Sequence, residues 1–318
     1  MDSLPHIALT SGDPAGIGPE IVAAAFCDDR VAAHMHLVGI GPAAVRPVEG
    51  LSRAVGGQHT WLDSEAPADW EMGRVQASCG AAALDALRIG HALAAAGEAH
   101  ALVTAPVNKA ALHAAGEDAE GQTELLSRWA GVERTAMLAV AGDLRVMLLT
   151  RHMPLVQAIT SIAAMDPERI VDHLSLLATS LQELGISRPR LALAGLNPHA
   201  GEQGLLGGEE DALLVPAVER ARASGLEVAG PVSPDAVFLQ AQDGHFDGVL
   251  ALYHDQAFIP LKLISANRGL TVLCGLPYLR VSPVHGTAFD IAGQGTASSE
   301  NLVHALLQTA EWCRSRAE

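Results

Sequence analysis

Short apolar runs, separated by glycine, proline and acidic residues, recur along the whole chain. Such runs predict strands buried within a sheet, because a strand covered on both faces has no polar side. Longer stretches rich in Ala and Leu, such as 77–96 and 299–314, predict helices with one apolar face. Strands that alternate with helices indicate an α/β fold. The predicted strands are 7–10, 101–104, 191–196, 249–252 and 271–273.

Local turn chemistry refines this pattern at three places. Residues 135–140 and 144–150 predict paired strands, with Gly142-Asp143 as a hairpin turn between them. Asp166-Pro167 is typical of a helix start, and Gly185 is typical of a helix end. Segment 50–70 is rich in glycine, proline and acidic residues, which predicts an excursion on the surface.

Composition limits the classes of protein to consider. The chain has 318 residues and is 49% hydrophobic, which is enough for two α/β lobes or one large one. The formal net charge of −16 argues against a nucleic-acid or anionic-membrane partner. A small anionic substrate would therefore need a local basic pocket.

Cysteine usage and the N-terminal residues bear on location. The four cysteines show no C-x-x-C spacing, which fits a reducing compartment. No basic segment precedes an apolar stretch at the N-terminus, so we expect no signal peptide. No uncharged apolar run reaches the roughly 20 residues of a transmembrane helix. These features predict a cytoplasmic protein without a membrane partner.

Three predicted strands are each followed by a histidine, namely His152, His199 and His254. Open α/β sheets bind ligands at the carboxyl ends of their strands. Three neutral imidazoles form a catalytic type of metal site with positions open for substrate. We therefore predict that these histidines bind one metal ion. The alternative is that they are unrelated loop residues among the 14 histidines of the chain.

Charged residues near the same strand ends are candidates for chemistry. Asp235 and Asp255 are candidate bases, or carboxylates that orient the metal ligands. Lys262 and Arg280 are candidate contacts for an anion, and a guanidinium can bind a carboxylate or phosphate with two hydrogen bonds. Lys109 is a candidate catalytic cation, and its alternative is a solvated lysine.

Two glycine-containing loops have competing interpretations. SGDPAGIGPE (11–20) lies between a strand and a helix, and its N–H groups either hold an anion or form only a tight turn. GIGPAA (39–44) resembles a dinucleotide-binding fingerprint. Pro42 disturbs that loop, and no clean helix and strand follow it. We therefore interpret 39–44 as a structural feature rather than a cofactor site.

Taken together, the motifs resemble the 4-hydroxythreonine-4-phosphate dehydrogenase (PdxA) family. They follow the family's order nearly from end to end. The matching segments are SGDPAGIGPE (11–20), TAPVNK (104–109), NPHAGE (197–202), YHDQ (253–256), GLP (275–277) with Arg280, HGTA (285–288) and AG (292–293).

The resemblance implies a two-lobed, three-layer α/β/α fold like that of isocitrate and isopropylmalate dehydrogenases. We expect a first lobe at 1–120 plus 286–318, and a second lobe at 121–285 with most metal and dimer contacts. The resemblance also implies a homodimer with active sites between the lobes at the subunit interface. The three histidines match family metal ligands that the two protomers share.

The family's substrate-binding positions correspond to Gln122, Thr123, Lys262, Thr271 and Arg280. Two of them depart from the family, which has His at position 122 and Asn at position 271. Gln can form hydrogen bonds but cannot become a cation, and Thr is shorter than Asn. These departures put the exact substrate in doubt.

The implied activity is metal-dependent NAD or NADP oxidation of 4-phosphohydroxy-L-threonine to 2-amino-3-oxo-4-phosphooxybutanoate. Decarboxylation to 3-amino-2-oxopropyl phosphate follows, within pyridoxal phosphate biosynthesis. A divalent metal (zinc, magnesium, cobalt or manganese) would lower the pKa of the substrate hydroxyl, and Asp255 or a water would take its proton. No residues are assigned to the cofactor. The alternatives are a carboxylated cis-dihydrodiol or another phosphorylated hydroxy acid as substrate, and a binding protein for a small anion without chemistry.

Overall fold

The computed structural model describes residues 4–53, 59–67, 69–119, 121–265 and 268–317. The strands are β1 His6–Thr10, β2 His36–Pro42, β3 Thr60–Ser64, β4 Ala101–Thr104, β5 Ala136–Ala141, β6 Leu144–Leu148, β7 Leu191–Ala194, β8 Val228–Val232, β9 Gly248–Ala251, β10 Leu270–Cys274 and β11 Leu279–Pro283. The α-helices are α1 Gly18–Phe26, α2 Asp29–His34, α3 Val48–Arg53, α4 Ala77–Ala95, α5 Lys109–Ala114, α6 Gln122–Trp129, α7 Leu155–Ala163, α8 Pro167–Glu183, α9 Val215–Ala223, α10 Val237–Gln242, α11 His254–Ser265 and α12 Glu300–Ala317.

The chain forms two compact units. Unit 1 comprises residues 1–135 and 276–318, and unit 2 comprises residues 136–275. The sequence analysis places the changes of lobe near residues 120 and 285. In the structure, segments 121–135 and 276–285 belong to unit 1. Gln122, Thr123 and Arg280 therefore belong to unit 1.

Unit 1 contains parallel strands in the order β3-β2-β1-β4-β11. α4 packs on β1 and β2, whereas α12 packs on β4 and β11 and contacts α1 and α2. The central strands β1 and β4 are almost fully buried, in agreement with their uninterrupted apolar sequence. The α/β class predicted from the alternation of apolar runs is confirmed in this unit.

Unit 2 contains strands in the order β10-β5-β6-β9-β7-β8. β10, β5 and β6 are antiparallel neighbours, and the pairs β6–β9, β9–β7 and β7–β8 are parallel. The predicted hairpin is confirmed, because β5 pairs with β6 and Gly142 adopts a φ of 58° in the turn. α8 packs on β5, β9 and β10, and α11 packs on β5, β6 and β9.

The boundaries of α8 follow from capping. The Asp166 side chain accepts a hydrogen bond from the Glu168 N–H at 2.9 Å, and Pro167 occupies the first turn. Gly185 lies just beyond the helix with a φ of 96°, a conformation that glycine adopts without steric cost. Both predicted ends of this helix are thus confirmed.

Segment 50–70 is not wholly a surface excursion, so that prediction was wrong in part. It contains β3, which pairs in parallel with β2. The strand has exposed positions, and this weakens the apolar signal in the sequence. The glycines of 39–44 lie inside β2, and a Cβ on Gly39 would clash with the Trp61 ring. Gly39 therefore makes room for an aromatic side chain, and the interpretation of 39–44 as structural is supported.

The sequence pattern gave no indication of β8 and β11, yet both lie in the sheets. β11 positions Arg280, with Arg280 in register with Leu102 of β4. Among the residues described, no helix has both the length and the apolar character needed to cross a bilayer.

Candidate functional site

Three neighbouring strands of unit 2 carry the predicted metal ligands. β6, β9 and β7 are adjacent and parallel, so their carboxyl ends lie at one edge of the sheet. His152 follows β6, His254 follows β9, and His199 follows β7. The topology therefore brings the three histidine-bearing segments to the same edge.

A chain of hydrogen bonds connects these strand ends. The Thr150 hydroxyl donates to the Leu252 carbonyl oxygen at 2.7 Å. The Leu252 N–H donates to Gln256 Oε1 at 2.7 Å, and Gln256 Nε2 donates to the Gly195 carbonyl oxygen at 2.8 Å. Gln256 is only 8% exposed, so these bonds replace water for buried groups and stiffen the edge.

His152 and His254 lie close together. Their ring centroids are 5.9 Å apart. His254 Nδ1 lies 2.7 Å from Asp255 Oδ1, and its ring stacks on Phe258 at 4.5 Å. A carboxylate at one ring nitrogen orients an imidazole so that the other nitrogen can bind a metal.

His199 lies in a turn of left-handed backbone, with φ 52° and ψ 31°. Asp235 is a candidate acid whose pKa is lowered mainly by a hydrogen bond from Ser233 at 2.5 Å. The charge of His199 contributes to the same shift. This electrostatic interaction indicates that His199 and Asp235 lie near each other.

The donor chemistry suits a divalent transition metal such as zinc, because imidazole nitrogens are common ligands of this class of metal. Across the described parts of the single chain, however, no three His, Cys, Asp or Glu side chains lie close enough to bind one ion. One protomer brings His152 and His254 together without His199. The three-histidine site stays a prediction.

Two cavities adjoin these residues. A cavity of about 370 Å³ is lined by Thr150, Arg151, His152, Tyr253, His254 and Asp255, among others. A second cavity of about 510 Å³ includes Asp235, Phe238, Tyr253, Asp255 and Ile259 in its lining. Asp255 lines both cavities, and this position suits a group that acts on a bound substrate.

Unit 1 contains a buried guanidinium. Arg280 is 4% exposed, and its Nη2 donates to Thr104 Oγ1 at 2.6 Å and to Gln122 Oε1 at 3.0 Å. Gln122 Nε2 donates in turn to the Ala105 carbonyl oxygen at 3.1 Å. Burial lowers the pKa of Arg280 to about 10, so it is still a cation at neutral pH. Its Nε is buried and has no hydrogen-bond partner among the described residues.

The other predicted residues of unit 1 lie at nearby helix starts. Lys109 begins α5 and is exposed, after Asn108, which accepts a capping hydrogen bond from Ala111 N at 3.0 Å. A Cβ on Gly121 would lie 3.6 Å from Lys109 Cε, so Lys109 reaches the start of α6. Thr123 lies in the first turn of α6, next to Gln122.

Thr271 and Lys262 belong to unit 2. Thr271 is buried in β10, whereas Lys262 is exposed on α11. The two residues thus differ in their surroundings, and their roles stay predictions.

The SGDPAGIGPE loop joins β1 to α1. The N–H groups of Asp13, Gly16 and Ile17 donate to carbonyl oxygens of the protein. These bonds favour the tight-turn interpretation. Sequence reasoning overlooked Asp13 itself, a fully buried acid whose pKa is raised by burial. It also overlooked Thr104 as the partner of Arg280.

A sequence model described as "Pyridoxal phosphate biosynthetic protein PdxA" matches residues 23–309. The chain belongs to the PdxA family. It is 40% identical to the D-threonate 4-phosphate dehydrogenase of Salmonella typhimurium, over 93% of this chain and 95% of that protein. It is also 40% identical to the 4-hydroxythreonine-4-phosphate dehydrogenase of Beijerinckia indica, over 95% of this chain and 94% of that protein.

Solved structures agree with the PdxA assignment. The 4-hydroxythreonine-4-phosphate dehydrogenase of Klebsiella pneumoniae has a TM-score of 0.87 and 37% identity, with 98% of each chain covered. The terephthalate 1,2-cis-dihydrodiol dehydrogenase of Burkholderia xenovorans has a TM-score of 0.65 and 30% identity, over 94% of this chain and 96% of that one.

PdxA membership confirms that the chain is an oxidoreductase, a dehydrogenase that uses a nicotinamide cofactor. The alternative of a binding protein without chemistry is therefore disfavoured. The relatives differ in their substrates, so the substrate must be argued from this chain.

Proposed function

We propose that this PdxA protein oxidises 4-phosphohydroxy-L-threonine with NAD or NADP to 2-amino-3-oxo-4-phosphooxybutanoate. This product is a β-keto acid, and its loss of CO2 gives 3-amino-2-oxopropyl phosphate. The buried guanidinium of Arg280 carries the proposal, because the two hydrogen bonds of its Nη2 go to neutral side chains. Its N–H groups can bind the phosphate or carboxylate of an anionic substrate, although the charge of Glu124 also acts on the guanidinium.

Gln122 and Thr123 are proposed to bind the substrate beside Arg280. The Gln122 carboxamide is oriented at both ends, by Arg280 and by the Ala105 carbonyl. Lys109, Lys262 and Thr271 are retained as predicted catalytic or substrate contacts.

We propose that His152, His199 and His254 bind one divalent metal, with ligands drawn from both protomers of a homodimer. The proximity of His152 and His254 supports two of the three ligands. When bound, the metal lowers the pKa of the substrate hydroxyl and the nicotinamide accepts hydride. Zinc, magnesium, cobalt and manganese are the candidate metals.

Asp255 is the proposed general base. It lines both cavities, and its Oδ1 lies 2.7 Å from Nδ1 of His254, so it faces the space available to a bound substrate. Asp235 is the alternative base. Its pKa is lowered by the Ser233 hydroxyl, which makes it a weaker proton acceptor than an ordinary aspartate. Asp255 is favoured because it lines both of these cavities.

Exposed apolar side chains support the proposed homodimer. Several lie on α7 and α11 of unit 2, near the histidines, and large exposed apolar patches mark interaction surfaces. The exposed apolar residues around these helices include Met153, Leu155, Val156, Ile159, Leu239, Ile259 and Leu263. A cytoplasmic location is also proposed, because all four cysteines are free.

A second candidate substrate is D-threonate 4-phosphate, the substrate in the name of a relative at 40% identity. A third is a carboxylated cis-dihydrodiol, because a cis-dihydrodiol dehydrogenase shares the fold at 30% identity. Gln122 and Thr271 are the departures from the PdxA pattern that keep these alternatives open.

The deciding experiment follows nicotinamide reduction at roughly 340 nm with each of the three substrates. Each reaction is run before and after chelation, with zinc, cobalt, manganese or magnesium restored. Metal-dependent turnover of 4-phosphohydroxythreonine at the highest kcat/KM is the expected result. A higher kcat/KM for D-threonate 4-phosphate or for the diol acid would reassign the substrate.

A further inference from the structure

The loop that carries His199 has an unusual backbone. Five consecutive residues, 199–203, have φ values of 52°, 52°, 80°, 44° and 58°. Only one of them is a glycine, Gly201. Residues with a Cβ rarely adopt this left-handed region, and they stay there only where surrounding contacts hold them. Surrounding contacts must therefore stabilise the conformation of this loop.

Glu210 contacts the loop at its base. Its Oε1 accepts hydrogen bonds from the backbone N–H groups of Leu196 at 2.9 Å and Asn197 at 2.7 Å. Its Oε2 accepts a hydrogen bond from Asn197 Nδ2 at 2.9 Å. The Glu210 side chain is buried, with 3% of the residue exposed. Three N–H donors thus stabilise one buried carboxylate.

The same carboxylate limits the left-handed segment itself. A Cβ on Gly201 would lie 2.8 Å from Glu210 Oε2, so Gly201 packs directly against it. The Asn197 carbonyl oxygen accepts a hydrogen bond from the Ala200 N–H at 3.1 Å, which closes the turn around His199. Glu210 therefore contacts both the residues before His199 and the residue two positions after it.

Glu210 is itself held by a rigid element. It begins a π-helical turn, Glu210–Leu214, which leads into α9. Leu213 and Leu214 of that turn are buried. Short π-helical segments occur often at functional sites. The adjacent Glu209 makes a single side-chain bond to the loop, to Asn197 Nδ2 at 2.8 Å, and is less buried.

From these contacts we propose that Glu210 is a positioning residue that holds His199 in its metal-binding conformation. The inference rests on the proposed role of His199 as a metal ligand. Outer residues that orient metal ligands typically change metal affinity by 10- to 100-fold when they are replaced. Glu210 acts through the loop, because its oxygens are occupied by N–H donors of Leu196 and Asn197.

The test uses E210Q in the full-length protein. The amide keeps the size of the side chain but places an NH2 group where Asn197 Nδ2 or a backbone N–H now donates. Two donors then face each other, and the loop loses a hydrogen bond. E219Q is the matched control, because Glu219 is an exposed carboxylate on α9.

Hydrogen exchange of the metal-free protein is measured for the amides of residues 196–203. Cobalt(II) affinity is measured by calorimetry. We expect E210Q to raise the exchange of these amides at least tenfold and to weaken cobalt binding 10- to 100-fold. E219Q is expected to match the wild type in both. Unchanged exchange in E210Q, or faster exchange with unchanged cobalt affinity, would overturn the proposal.

A double variant separates this inference from the proposed metal site. H199A is expected to weaken cobalt binding, and H199A/E210Q is expected to bind cobalt no worse than H199A alone. Additive losses would show that Glu210 acts independently of His199, which contradicts the proposal. An H199A protein with wild-type cobalt affinity would refute the metal role of His199 itself, whatever the exchange data show.

If E210Q does not fold, N197S provides the second route. It removes the amide that donates to Glu210 Oε2 and to Glu209 Oε2, and it leaves the two backbone donors to Glu210. A smaller effect in the same direction on exchange and on cobalt affinity is expected. Wild-type behaviour of N197S in both measurements would then count against the proposal.

Discussion

In unit 1 the cationic Arg280 is buried and hydrogen-bonded within the unit, whereas the candidate metal ligands of unit 2 are open to solvent. Thr104 and Gln122 hold the Arg280 guanidinium in place before any ligand binds. His152 and His199 are exposed, and the side chain of His254 is 41% exposed. A buried charge with fixed partners is preorganised for its ligand. Contacts of the His199 loop and of the His254 ring orient these imidazoles, and their exposure leaves them open to a metal and to a second protomer.

Removal of a metal ligand should have the largest effect on enzyme activity. We expect H254A to reduce kcat/KM by at least about 1,000-fold, because the metal supplies several kcal/mol of stabilisation to the transition state. Steady-state kinetics with the best substrate, together with the metal content of the purified protein, measure this effect. H245A is the control, since His245 is another exposed histidine of unit 2. A fully active H254A protein would remove His254 from the chemistry.

Replacement of the buried cation Arg280 should have the next largest effect on enzyme activity. R280K keeps the charge but loses the planar guanidinium that bonds both Thr104 and Gln122. Loss of one or two charged hydrogen bonds predicts a fall in kcat/KM of about 100-fold. The exposed R74K substitution is the control, because Arg74 pairs only at the surface with Glu71. Equal kinetics of R280K and R74K would contradict the role of Arg280.

Gln122 provides a test that depends on pH. In Q122H a neutral imidazole can still accept from Arg280, but a protonated imidazole cannot accept and repels the cation. The activity of Q122H relative to wild type is expected to fall as the pH drops below about 6.5, by up to about tenfold per pH unit.

The pH profile of kcat/KM measures this effect, and Q122N is the control because it cannot titrate. Equal pH profiles of Q122H and Q122N would indicate that residue 122 and Arg280 do not interact during turnover. That result would also weaken the case for Gln122 as a determinant of the substrate.

The smallest expected effect is on stability. It concerns a second set of histidines, which lie at the amino ends of strands in unit 1. The rings of His36 and His100 lie 5.0 and 5.9 Å from the ring of His6, which lies between them. The pKa of His6 is lowered first by partial burial of its ring, although most of the residue is exposed, and second by the charges of these two neighbours. The folded state therefore binds fewer protons than the unfolded state, and stability falls as the pH drops below the unfolded pKa of about 6.5.

Urea unfolding at pH 7.5 and at pH 5.5 measures this loss. Between these two pH values, the free energy of unfolding of the wild type should fall by roughly a few tenths of a kcal/mol more than that of H6N. The difference is small because His6 is exposed and solvent screens its charge. An equal loss in H6N would show that other groups set the acid sensitivity. At the amino ends of these strands the histidine rings lie against one another, and His100 Nδ1 accepts a hydrogen bond from the His6 N–H at 3.0 Å.

Much of the fold was predictable from local features. β4 coincides with the predicted strand 101–104, and the hairpin at Gly142 and the cap at Asp166 lie where the sequence places them. Buried runs and capping residues act over a few positions, so a linear pattern reveals them. β3 and β11 escaped prediction, because an exposed edge and a proline-flanked segment lack a clear period.

The candidate site was predictable as a set of residues rather than as an arrangement. The motifs identified the three histidines and Arg280, and the PdxA assignment is confirmed. They did not identify Thr104 or Glu210 as partners. Arg280 and Thr104 are 176 positions apart in the chain, and no local pattern connects them.

By itself, the sequence determined the α/β class, the histidine at the end of each of three strands, and membership of the PdxA family. Each of these depends on residue identity at short spacing or on the order of motifs along the chain. Tertiary structure alone decided the burial of Arg280, its bonds to Thr104 and Gln122, and the left-handed loop held by Glu210. These features arise where packing removes water from groups that are distant in sequence, so each polar atom must find a partner within the fold.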